Sequence, residues 1–85
     1  MNPISVEIVQ TAIDKAAEAQ LISYLAVVLS WTPLMNDPND TRRRMEAQRL
    51  LNGILFGDNK QDFIENARAF LLLHSENIAA RGGLS

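Results

Sequence analysis

Residues 21–31 read LISYLAVVLSW, an eleven-residue run with nine apolar side chains and no charge. A membrane-crossing helix needs about 20 apolar residues, so a run of this length is predicted to be a buried helical segment or a contact surface. Upstream, residues 4–30 hold neither glycine nor proline, and their middle, AIDKAAEAQL, is rich in strong helix formers. Asn2 followed by Pro3 suits an N-cap and first helical position. The predicted first helix therefore spans about residues 3–30 and would be about 40 Å long. A compact chain of 85 residues has a diameter near 30 Å, with a radius of gyration of about 12 Å. This helix must bend, protrude or belong to an elongated assembly.

Helical projection adds a direction to that conflict. Val6, Val9, Ile13, Ala16 and Ala17 share one sector, and Glu7, Asp14 and Glu18 another. In the second half the apolar sector is Leu21, Ile22, Leu25, Val28 and Leu29 with Tyr24 at its border, rotated by roughly 120° from the first. The apolar face thus changes direction near Gln20, and one straight helix on one neighbour cannot bury both halves. The prediction is that Leu21, Leu25 and Leu29, with Ala47, Leu50 and Ile54, meet a different neighbour from Val9 and Ile13.

Beyond the run, WTPLMNDPN (residues 31–39) is the strongest break, because Pro33 and Pro38 disfavour helical geometry in the residues before them. Asp37 and Pro38 read as N-cap and N1 of a second helix over about 38–56, with Asp40 as an anion near the positive end of its dipole. Its core stripe is Ala47, Leu50, Leu51, Ile54 and Leu55, while Met45 and Phe56 point elsewhere. Gly57, Asp58 and Asn59 form a tight turn with Gly57 as the left-handed residue. A third helix, about 60–80, places Phe63, Ile64, Ala67, Phe70, Leu71, His74 and Ile78 inward, leaves Leu72 and Leu73 outside, and stops at Gly82. The predicted fold is all-α: a three-helix bundle of one long or bent helix plus an antiparallel hairpin, forming a single small domain over residues 1–85 with 81–85 as a frayed tail.

Composition limits what such a domain can do. A hydrophobic fraction of 47% and a formal net charge of −2 argue against wholesale attraction to polyanions, and the absence of cysteine excludes disulfides and thiolate chemistry. With no basic n-region and no spanning segment, the expectation is a cytoplasmic protein without membrane attachment. Isolated glycines at Gly53 and Gly57 give no phosphate loop, and no nucleophile–base pair or carboxylate dyad is legible, so the protein is expected not to be an enzyme and to need no cofactor. His74, the sole histidine, lacks companions for a metal site. Glu7, Asp14 and Glu18 read as a solvated acidic face or a complement to the arginines of the second helix.

Two surfaces remain. The first is an interface candidate: Leu21, Tyr24, Leu25, Val28, Leu29, Trp31, Phe56, Leu72 and Leu73, an apolar excess on every helix that implies a further covering surface, with a homodimer favoured. The second is a basic patch of Arg42, Arg43, Arg44 and Arg49, with Arg42 and Glu46 as an i, i+4 pair. The leading expectation is a non-catalytic protein–protein interaction module, such as a small adaptor, chaperone-like subunit or inhibitor. The alternative is a small nucleic-acid-binding regulator that uses the arginines on phosphates.

Overall fold

The computed structural model describes residues 4–31 and 38–84, so the predicted caps at Asn2–Pro3 and Asp37 lie outside the described residues. Five helices follow in order: α1 (Val6–Lys15), α2 (Glu18–Ser30), α3 (Pro38–Phe56), α4 (Lys60–Leu73) and α5 (Ser75–Ala80). The protein is all-helical among the described residues, but two of the three predicted helices are divided.

The first division replaces the long helix. Ala16 (φ −68°, ψ 132°) and Ala17 (φ −80°, ψ 172°) are extended, and the chain turns between α1 and α2 instead of continuing for about 40 Å. A straight helix would have exceeded the longest extent of the fold, 37 Å. The break also resolves the rotated apolar faces. α1 packs on α4 and α5, whereas α2 packs on α3 and α4. Interrupting a helix sacrifices a few backbone hydrogen bonds, each worth about 0.5–1.5 kcal/mol net. Turning the second half inward buries Leu21, Leu25 and Val28 completely, at about 1.5–3 kcal/mol each. Burial wins, provided the exposed helix ends find partners.

They do. Arg68 of α4 donates from Nη1 to the carbonyls of Ile13 and Asp14 and from Nη2 to that of Ala16 (3.0 Å), capping the C-terminus of α1. At the start of α2 the Ala17 amide donates to Gln20 Oε1 at 2.9 Å, the half of a capping box that alanine can support. Lys60 pairs with Glu18 at 2.6 Å beside the same corner. Glu18 is thereby separated from the stripe predicted with Glu7 and Asp14.

A single core results. Val9, Ile13 and Ala16 join Leu21, Leu25 and Val28, together with Ala47, Leu50, Ile54, Ala67, Leu71 and Ile78. The two halves of the predicted helix do meet different main neighbours, yet both are covered within the chain. The change of face is thus satisfied within the chain and does not by itself call for a second molecule. Leu55, predicted in the core stripe of α3, is instead half exposed.

α3 and α4 are joined through Gly57–Asn59 and lie antiparallel, with Gly53 against Phe63 near the turn and Asn39 and Arg42 beside His74 at the far end. Gly57 is not left-handed: its amide donates to Gly53 O at 3.0 Å, and a Cβ there would press on that same carbonyl. The second division falls at His74 (φ −102°, ψ 16°). It is a loosened turn, since His74 N still donates to Phe70 O (3.1 Å) and Ile78 N to His74 O (3.0 Å). Gln10 on α1 donates to Ser75, buried at the start of α5, at 3.3 Å.

The predicted stop at Gly82 is a Schellman ending. Gly82 (φ 98°) donates to Ala79 O at 3.2 Å and Gly83 (φ 92°) to Ile78 O at 2.9 Å. The frayed tail is corrected for Arg81–Leu84: Gly83 is buried against Ile4, whose amide donates to Ala79 O (3.0 Å), and Leu84 packs on the core. Among the described residues, no helix is long and apolar enough to cross a membrane.

Candidate binding groove

Asn39, Arg42, Glu46 and Arg49 recur at helical spacing on one side of α3, facing Asn66, Ala69, Phe70 and Leu73 of α4 and His74 just beyond it. Between them lies an open groove of about 740 Å³, which Arg43 also lines. Near the turn the two helices close, because the missing side chain of Gly53 admits the Phe63 ring. The Arg49 guanidinium sits 5.7 Å above that ring. Towards the other end Asn66 and Ala69 leave the space between the helices unfilled.

Four arginines predicted as one patch take separate roles. Arg49 is paired with Glu46, its Nε 3.1 Å from Oε2. That hydrogen bond and its charge hold the Glu46 carboxyl below, and the Arg49 guanidinium above, their ordinary values. The predicted Arg42–Glu46 pair is therefore replaced by an i, i+3 pair, and Arg42 has no ion-pair partner among the described residues. Arg43 donates to Asp40. Arg44 is turned away from the groove and reaches the Leu29 carbonyl at 3.4 Å.

Asp40 is the principal feature that sequence reasoning missed. Predicted as a first-turn anion at a helix start, it is only 2% exposed and accepts from Arg43 and, at 2.8 Å, from Arg81. Arg81 in turn lies 4.3 Å over the Trp31 ring. Three distant parts of the chain thus meet around Asp40, whose partner Arg43 also lines the groove: the residue after α2, the start of α3 and the residue after α5. Two guanidiniums compensate a carboxylate that could not otherwise be buried. Nothing in local spacing reveals a partner 41 residues away, so this cluster was legible only from the fold.

His74, predicted on an inner stripe, is half-buried in the groove wall, edge-on to Phe70 with ring centroids 4.7 Å apart. Burial first, and the charge of Arg43 second, lower its pKa below the ordinary value of 6.5.

The interface candidates divide as sharply. Leu21, Leu25 and Val28 are core residues and carry no surface. Tyr24, Leu29, Trp31 and Leu72 are half-buried against that core. Phe56, at the end of α3, and Leu73, on the groove rim, are 81% and 78% exposed. Of these two exposed residues, Leu73 shares the groove with Arg42, Arg43 and Arg49, and Phe56 does not line it. Met45, Leu55 and Ile8 are exposed elsewhere. Among the described residues, no group of three or more carboxylate and histidine ligands could hold a metal ion.

Fold and groove together define a small all-helical domain with a guanidinium-lined groove and an apolar rim. No protein-family model, curated protein or solved structure matches the chain.

Proposed function

We propose that the protein is a non-catalytic protein-interaction module that receives a partner segment in the groove between α3 and α4. One observation supports this above others: the groove places fixed guanidiniums beside an exposed leucine, with Ala69 and Phe70 beneath. Arg43 is held by Asp40, and Arg49 by Glu46. Arginines of limited freedom beside apolar surface are what protein interfaces favour, because little entropy is lost on docking. A groove open along its side suits a chain segment better than a small molecule, which needs enclosure over most of its surface.

Use of the arginines on nucleic acid is disfavoured by three features. Arg44 points away from the others, Glu46 stands between Arg42 and Arg49, and the chain carries a formal charge of −2. Self-pairing through the groove is disfavoured too, since three guanidiniums and one carboxylate line it and two copies would set like charges face to face.

A photo-crosslinking amino acid placed at Ala69, in the groove, and separately at Gln48, exposed on α3 outside the groove lining, tests this in source cells. Protein adducts from position 69 and none from position 48 are expected. Adducts to nucleic acid, or equal adducts from both positions, would contradict it.

A further inference from the structure

We infer that the partner segment is an acidic helix carrying two carboxylates seven residues apart with one large apolar residue between them, an assignment that rests on the groove being a protein-binding site. Arg42 and Arg49 are seven residues apart on the groove side of α3, which at 1.5 Å per residue separates them by about 10 Å along the axis. A helix lying along the groove repeats the same spacing, so carboxylates at i and i+7 meet both guanidiniums. Arg42 can meet its carboxylate through two donors of the guanidinium fork, whereas Arg49, whose Nε and Nη2 are engaged by the two oxygens of Glu46, offers the second carboxylate its Nη1 side.

Glu46 decides what lies between. Its carboxylate is paired with Arg49 and sits between the two arginines in sequence, so it repels a third acidic group placed over it. Across from it, Ala69, Phe70 and the 78%-exposed Leu73 supply apolar surface. An apolar residue at i+3 or i+4 of the partner covers that surface and avoids the repulsion. Charge complementarity extends to the whole encounter: the groove concentrates guanidiniums on a chain whose formal net charge is −2, so an acidic segment is steered to this face and repelled by the rest.

The experiment is selection of a displayed library of helix-forming peptides against the full chain at low salt. The expected consensus has Asp or Glu at i and i+7 flanking one Leu, Ile, Phe or Trp. Its synthetic peptide should bind about tenfold more weakly to Arg42→Glu and to Leu73→Ser, and progressively more weakly as salt rises. Both positions are on the surface, and thermal melts of each variant confirm that the fold is retained. A consensus without acidic residues that still depends on Leu73 would overturn the acidic-helix assignment while leaving a protein-binding groove intact. Failure to select any peptide whose binding is lost in the Arg42→Glu, Leu73→Ser double variant would overturn both. A mixed-sequence DNA duplex serves as a second probe, and tighter binding of it than of the consensus peptide would replace the protein partner with a polyphosphate.

Discussion

Arg68 and Asp40 hold the fold at points where backbone or charge would otherwise be stranded, and neither role follows from local sequence. Arg68 serves three carbonyls at the end of α1. Leaving buried acceptors unpaired costs about 1–3 kcal/mol, so Arg68→Ala should lower the melting temperature by several degrees, at about 4–8 °C per kcal/mol for a domain of this size. Lysine has one donor centre and should not restore the loss; full rescue by Arg68→Lys in thermal denaturation would contradict the capping role. Asp40→Ala is more severe, because it strands two partly buried guanidiniums. Breaking a buried ion pair costs about 3–5 kcal/mol, and the low end applies because Arg43 and Arg81 keep some solvent contact. Chemical denaturation should show that loss, and a change under about 1 kcal/mol would contradict the cluster's role. His74 gives a pH dependence with a definite sign. Its folded pKa lies below 6.5, so in the window beneath 6.5 the unfolded chain binds more protons and stability falls as pH falls. The melting temperature should therefore drop on acidification from about pH 7.5 to pH 5.5, and less in His74→Gln. Glu46, whose lowered pKa contributes stability that is full above its ordinary value of 4.5 and is lost as pH falls below that through the lowered folded value, acts outside that range. Equal slopes in both proteins would refute the assignment.

Elements differ in how much their sequences disclose. α3 begins at Pro38 and ends at Phe56 as its proline and glycine boundaries indicate, and the Gly82 stop is equally legible because only glycine adopts the left-handed pair of a Schellman ending without strain. The break at Ala16–Ala17 was legible only as a rotation of the apolar face near Gln20. Two alanines favour helix by propensity, and what overrides them is the burial of Leu21, Leu25 and Val28 together with a cap from Arg68, 52 residues from Ala16. Local preference cannot encode a donor at that distance. The groove was half legible: helical spacing brings Arg42 and Arg49 to one face, but the register of α4 that sets Leu73 and His74 opposite them depends on Phe63 seating on Gly53. Ala17, the cap position at the start of α2, lacks an acceptor side chain and is exposed. Ala17→Ser should stabilise the protein by about 0.5–2 kcal/mol, measured by denaturant unfolding. A clear destabilisation would mean that the helix runs on through this point.

At the scale of the molecule, the kink changes what the apolar surplus means. Residues that looked in need of a second chain are absorbed into one core, and the surface left over is smaller and chemically mixed. Exposed Leu73 lies with Arg42, Arg43 and Arg49, whereas Phe56, Met45, Leu55 and Ile8 stand outside the groove. The proposed recognition surface is accordingly the α3–α4 side. The most direct measurement is a titration of the ¹⁵N-labelled protein with the acidic peptide, followed through its amide resonances. Shifts should concentrate at Arg42, Glu46, Arg49, Asn66, Leu73 and His74, with α1 and the exposed side of α2 unmoved. Shifts confined to α1 and α2, or spread evenly over the chain at saturating peptide, would contradict the groove as the binding site.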